Sequence, residues 1–240
     1  MIAGIIWRIA LVAVALVAAG VQLDRQTERT PSFADSVPMA FRSVAQRPMA
    51  AFALDRDNPQ YALEQAERLV ERRPLPAVHL RILAQAQFAA GQVEQSGLTI
   101  QYAAQRGWRE PLAQETMLRL ALEAGDMDEA ARRYAALFLR RDTEDSLLEE
   151  LGPRVLEEPG GEGRQTLVGI VVGGERWHNH FLRRGARVMP PDAFAEIVEV
   201  AQENGSRFDC GILEGNVRTL SQNDETVGAS LAAAIAPYCQ

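Results

Sequence analysis

The chain has no lysine; all 25 of its basic residues are arginine. A structural need for that many guanidinium forks is implausible, and a coding bias toward GC-rich codons is the simpler cause. No function is drawn from the arginines as a class. Cysteine is almost as scarce. Cys210 and Cys239 are too few for a cysteine metal site and too far apart for a CxxC redox motif. In an oxidising compartment they would form one disulfide, worth about 2–4 kcal/mol; otherwise they are two buried thiols. HExxH is absent, as are GxGxxG, GK[ST] and GxSxG. The glycine-containing run Val168–Gly174 therefore lacks the order needed to cradle phosphate. With 32 acidic residues against 25 basic ones, the net charge of -7 also argues against nonspecific nucleic-acid binding.

What is present begins with a long apolar stretch. Residues 1–23 are uncharged except for Arg8. A bilayer crossing takes about 20 predominantly apolar residues, and an arginine near one end can snorkel to the headgroups. The expectation is a single-pass anchor in a bacterial inner membrane with the bulk of the chain in the periplasm. A cleaved secretory signal, with Arg8 closing its charged region, is the alternative, and a buried core helix is the third reading. Residues 24–42 are polar, bracketed by Pro31 and Pro38, and read as a linker leaving the membrane.

From Ser43 the composition turns to alanine, leucine, glutamine, glutamate and arginine, all good helix formers. A register runs through it. Gly91 and Gly125 lie 34 residues apart, which places Ser96 over Ala130, Ile100 over Tyr134 and Ala103 over Leu137. One period upstream, Asp57 takes the turn and Ala62, Ala66 and Leu69 the packing positions. On the preceding helix of each pair, Met49, Leu83 and Met117 share a position, followed by Ala50, Ala84 and Leu118. Val78, Ile82 and Ala89 form one stripe of the 77–90 run, with Leu83 and Ala86 beside it. Asp126 is placed to cap a helix starting at Met127, with Glu129 at capping-box spacing.

These residues resemble the tetratricopeptide-repeat family, which has a 34-residue period and small residues where paired helices meet. Residues 124–138 carry the clearest match, through Gly125, Ala130, Tyr134 and Leu137. Ser96 departs from the usual alanine, and the aromatic expected late in the first helix of each repeat is missing. The likeness covers about 100 of the 240 residues. It implies stacked hairpins over 43–144 whose packing positions include Ala84, Gly91, Leu118, Gly125, Ala130 and Tyr134, and whose groove holds a protein or peptide.

Beyond the repeats, 145–163 reads as a capping helix and a glycine-rich linker, and 164–240 as a C-terminal module, mostly helical with an α+β arrangement left open. Thr166–Val172 is short and apolar enough for a buried strand or a short helix. The densest polar cluster is Glu175–His180. On a strand His178 and His180 would share a face; on a helix they would diverge by about 200 degrees and could not chelate. A thiol nucleophile at Cys210 with either histidine as base finds no support in the spacing. The whole is a mainly α chain expected to be a noncatalytic, membrane-anchored adaptor in the cell envelope, binding a protein partner with no metal or cofactor. The alternative is an enzyme or enzyme subunit whose active region is the C-terminal module.

Overall fold

A helix end leaves four N–H or four C=O groups without intrahelical partners, and this chain has many such ends. The computed structural model describes residues 2–239; the expected anchor's Met1 and the C-terminal module's Gln240 lie outside them. Among the described residues there are thirteen α-helices, a few 3-10 turns and no strand. The chain divides into two compact units, Met1–Glu110 and Pro111–Gln240.

The first unit opens with α1, Ile2–Gln26, which is long and apolar enough to cross a membrane and is exposed along almost all its length. Its exceptions lie at the C-terminal end. Gly20 and Asp24 are buried, as is Thr27 just beyond. A Cβ at Gly20 would stand 2.7 Å from the Phe41 ring, so only glycine admits that packing. Asp24 accepts hydrogen bonds from the backbone N–H groups of Ser43, Val44 and Ala45 at 3.0, 3.0 and 2.8 Å. That carboxylate satisfies the free donors ahead of α2, Gln46–Leu54. The 24–42 stretch is thus no loose linker. It folds into 3-10 turns at Pro31–Ser36 and Met39–Phe41, and buries Ala34 and Val37 against Ala45 and Met49.

The α2 helix pairs with α3, Pro59–Arg72, and α4, Ala77–Ala89, pairs with α5, Val93–Arg106. Asn58 caps α3 through the Tyr61 N–H, and Pro59 occupies its first position, where a missing donor costs nothing. The core between these helices is small-residue packing: Ala50, Ala53, Ala62, Ala66 and Ala86 around Leu63, Leu69 and Ile82. Ser96 occupies its alanine-like position while donating from Oγ to the Ala84 carbonyl at 2.7 Å. Ala89, placed by the sequence near the buried stripe, is exposed instead, because the packed face turns through Ile82 and Ala86.

Gly91 has φ +80° and Gly125 φ +74°, both closing a helix in the left-handed conformation. At the first, Gln92 N–H reaches back to Gln87 O and Gly91 N–H to Phe88 O. At the second, Asp126 N–H reaches Ala121 O and Gly125 N–H reaches Leu122 O. The same six-residue closure therefore recurs at the 34-residue interval. The turn at Asp57 is built differently, without a left-handed residue.

In the second unit α6, Pro111–Ala124, pairs with α7, Met127–Phe138. Asp126 caps α7 by accepting from Glu129 N–H at 3.0 Å. The reciprocal arm of the capping box does not form. Glu129 turns to Arg133, 2.8 Å from its Nε, while Asp126 N–H is taken by Ala121 O. Then follow α8, Asp145–Val155, and α9, Glu162–Val172, so Thr166–Val172 is helical. Length decides this: the apolar run continues an eleven-residue helix that packs on α7 and on α11, Pro191–Glu203, with α10, His178–Val188, between them in sequence. The unit ends with α12, Cys210–Asn223, and α13, Glu225–Ile235. One core joins Leu118, Tyr134 and Leu137 to Leu148, Leu167, Phe181, Phe194, Leu213 and Leu231. Cys210 and Cys239 form a disulfide.

Two outcomes follow. Replacing Asp24 by alanine strands three backbone donors and should cost about 1–3 kcal/mol; faster amide exchange at Ser43–Ala45 in the solubilised chain is the readout, and unchanged protection there would refute it. Burial and the neighbouring Arg73 and Arg47 charges hold the His79 imidazole below its ordinary value of 6.5, despite its hydrogen bond with the Arg73 carbonyl. The unfolded chain then binds the proton more readily than the fold, so stability falls as pH drops below 6.5. His79→Gln should flatten that acid limb in thermal unfolding curves; a limb of equal steepness would count against it.

Candidate functional site

The polar cluster singled out in the sequence is split by the fold. Glu175–Trp177 is a 3-10 turn and His178 begins α10, so the two histidines leave the helix on different sides. His178 is buried edge-on to Phe208, with Nε2 3.0 Å from Val171 O and Nδ1 3.2 Å from Arg207 O. Both ring nitrogens face backbone carbonyls, and neither is available to a metal or a nucleophile. His180 points the other way, with Nε2 3.2 Å from Phe138 O. Among the described residues no three His, Cys, Asp or Glu side chains converge on a metal position. Cys210 has no thiol, being bonded to Cys239.

His180 does belong to a site, one the sequence did not suggest. An open cleft of about 670 Å³ is lined by Arg141, Asp145, Asn179, His180, Arg183, Arg184 and Arg187. The α10 helix builds most of it. Phe181, Leu182, Ala186 and Val188 bury its inner face, while Asn179, Arg183 and Arg187 recur every four residues on the exposed one. That row extends about 12 Å along the helix.

The floor of the cleft is Arg184, 6% exposed. Its Nε donates to Asp145 Oδ1 at 2.9 Å, its Nη1 to the carbonyls of Phe138 and Arg140 at 2.7 and 2.5 Å, and its Nη2 to that of Thr143. One guanidinium thereby closes the C-terminus of α7 and fixes the connection to α8. Asp145, at the first position of α8, also pairs with Arg187 at 3.1 Å. Arg141 and Arg183 have no hydrogen-bond or ion-pair partner among the described residues and are exposed to solvent.

The cleft thus carries four guanidiniums against one lining carboxylate, on a chain whose net charge is -7. Such an arrangement attracts carboxylates or phosphates presented along a line, since its free donors are spread over two helical turns rather than focused on one point. Sequence reasoning missed it by discounting arginine as a class. The available signal was Asn179, Arg183 and Arg187 at four-residue spacing, visible once this segment is taken as a helix.

The packing positions taken from the 34-residue register occupy their own units. Ala84 is buried in the first; Leu118, Ala130 and Tyr134 are fully buried in the second. Burial pushes the Tyr134 phenol up, well beyond its ordinary range. Comparison of the chain with protein-family models, curated proteins and solved structures finds no match.

Arg184 and Arg183 should separate cleanly on substitution. Arg184→Met removes the donor shared by Asp145 and three backbone carbonyls, of which those of Arg140 and Thr143 are left without a partner, and should lower the second unit's stability by about 3 kcal/mol. Arg183→Gln should leave stability within about 0.5 kcal/mol of the parent. Urea unfolding of the full chain in detergent measures both, and equal losses would contradict the assignment of Arg184 as the clamp.

Proposed function

We propose that the protein is a noncatalytic scaffold that binds an acidic segment of a protein partner and is held at the bacterial inner membrane by α1. The observation that carries this is the arginine cleft: unpaired Arg141 and Arg183 beside a rigid Arg184–Asp145 clamp, in a chain that is otherwise acidic. A linear row of guanidiniums suits carboxylates on successive turns of a partner helix or along an extended peptide. In this reading the helical pairs α2–α3, α4–α5 and α6–α7 are tetratricopeptide-like hairpins serving as the platform. The disulfide favours an oxidising compartment such as the periplasm.

The test is crosslinking in native membranes followed by mass spectrometry, comparing the parent with an Arg141→Glu/Arg183→Glu variant. Both side chains are exposed and unpaired, so reversal leaves the fold intact. A partner captured by the parent and reduced about tenfold or more in the variant is the expected result, from the loss and reversal of two charge contacts. Equal capture by both would remove the cleft from partner binding.

A further inference from the structure

The foot of α1 carries a second basic site, unrelated to the cleft. Two cavities in the first unit meet there and share Val44 and Arg73. One, about 510 Å³, is lined by Val21, Asp24 and Arg25 of α1 itself together with Phe41. The other, about 500 Å³, takes in Glu28, Arg47 and His79 with an apolar wall of Pro48, Phe52 and Val78. We propose that this composite pocket holds the headgroup of an anionic phospholipid, its phosphodiester engaged by Arg47 and Arg73.

Level, charge and surroundings each support that occupant. The level follows from α1: its apolar part from Ile2 to Leu23 is about 33 Å long at 1.5 Å per residue, against a hydrocarbon core of about 30 Å. The end of α1 then lies at the headgroups, and Val21, Asp24 and Arg25 there line the pocket. This rests on reading α1 as membrane-spanning.

The charges are three guanidiniums, Arg25, Arg47 and Arg73, against the carboxylates of Asp24 and Glu28. One positive charge is left over, the complement of a single phosphodiester. Asp24 is already engaged by three backbone N–H groups, whereas the side chains of Arg25, Arg47 and Arg73 are exposed and have no partner among the described residues. The positive field is felt inside the pocket, where Arg73 and Arg47 both disfavour protonation of buried His79.

The surroundings are apolar and exposed. Phe33 is 49% exposed, Met39 53%, Phe52 42% and Leu75 80%. Phe52 lines the pocket and the other three lie within two residues of lining positions. Large exposed apolar side chains beside arginines are what an interfacial surface requires, with the former entering the acyl boundary. A free phosphate would gain nothing from them. The arginine cleft of the second unit has none among its lining residues.

Native mass spectrometry of the full chain in neutral detergent, offered equal amounts of phosphatidylglycerol and phosphatidylcholine, tests the proposal. The parent should retain phosphatidylglycerol with a preference of about thirtyfold, the scale of two arginines at an anionic surface. Arg47→Gln/Arg73→Gln should bring the two lipids to parity, while Arg154→Gln in the second unit should leave the preference as it was. No preference in the parent, or an undiminished one in the double variant, would overturn it. So would displacement of the lipid by inorganic phosphate alone, which would mark a site for free anions. An alkaline carbonate wash of membranes keeps the anchor separate. A parent chain released by the wash defeats the spanning helix and the headgroup site with it; a retained chain without lipid preference defeats the headgroup site only.

Discussion

The constraint behind this fold is the helix end. Each break in an all-helical chain frees backbone donors or acceptors that packing alone cannot satisfy. Some breaks are met locally, by Asn58, Asp126, Asp209 and Asp224 as N-caps and by left-handed glycines at Gly91 and Gly125. The breaks that set tertiary structure are met by buried charge from distant sequence. Asp24 gathers the N–H groups ahead of α2, Arg184 gathers carbonyls after α7, and Arg164 donates to Leu156 O after α8. Arg164 is itself held by Asp192 and Glu196 of α11. Each such group joins elements roughly twenty to forty residues apart, and each would be costly if left without its partners.

The consequence is largest at Asp24. A carboxylate on the apolar helix itself, taking three donors of the folded chain, makes the exit from α1 a joint and not a tether. The 3-10 turns that follow fill the angle, with Phe41 against Gly20 on one side and Ala34 and Val37 against Met49 on the other. A chain crossing a bilayer through α1 would carry its first unit at a set height above the membrane. That height would bring the proposed Arg47–Arg73 pocket to the headgroups.

What could be read from the sequence was whatever repeats locally. The apolar helix shows in one long run, the cap at Asp126 in residues one turn apart, and the glycine closures in a single residue type that returns after 34 positions. Asp24 was illegible, because its partners are backbone groups nineteen to twenty-one positions away and backbone groups have no sequence signature. The cleft was hidden for a related reason. His178 and His180 drew attention as a pair, although a helix sends adjacent polar residues to different neighbours, here Val171 and Phe138. Thr166–Val172 was ambiguous because so short a run, rich in leucine, isoleucine and valine, suits a buried strand as well as a buried helix, and only the surrounding helices decide between them.

The absence of lysine is well explained by coding, yet that explanation concerns identity and not placement. No lysine could do what Arg184 does, since a planar fork reaches one carboxylate and three carbonyls at fixed angles while an ammonium has three donors on a flexible stem. Other arginines, such as Arg68, Arg132 and Arg133, pair with an acid one turn earlier on the same helix. Where neither a carbonyl nor a carboxylate answers, the guanidinium is left facing solvent in a cavity, as Arg141 and Arg183 are in one unit and Arg47 and Arg73 in the other. A bias that places arginine wherever a cation is tolerated scatters such residues over the surface, and Arg154 and Arg218 are exposed in that way. What sets Arg141 with Arg183 and Arg47 with Arg73 apart is that each pair lines a concave site, one free of exposed apolar side chains and the other flanked by them, and that difference is the reason for proposing a different anionic partner at each.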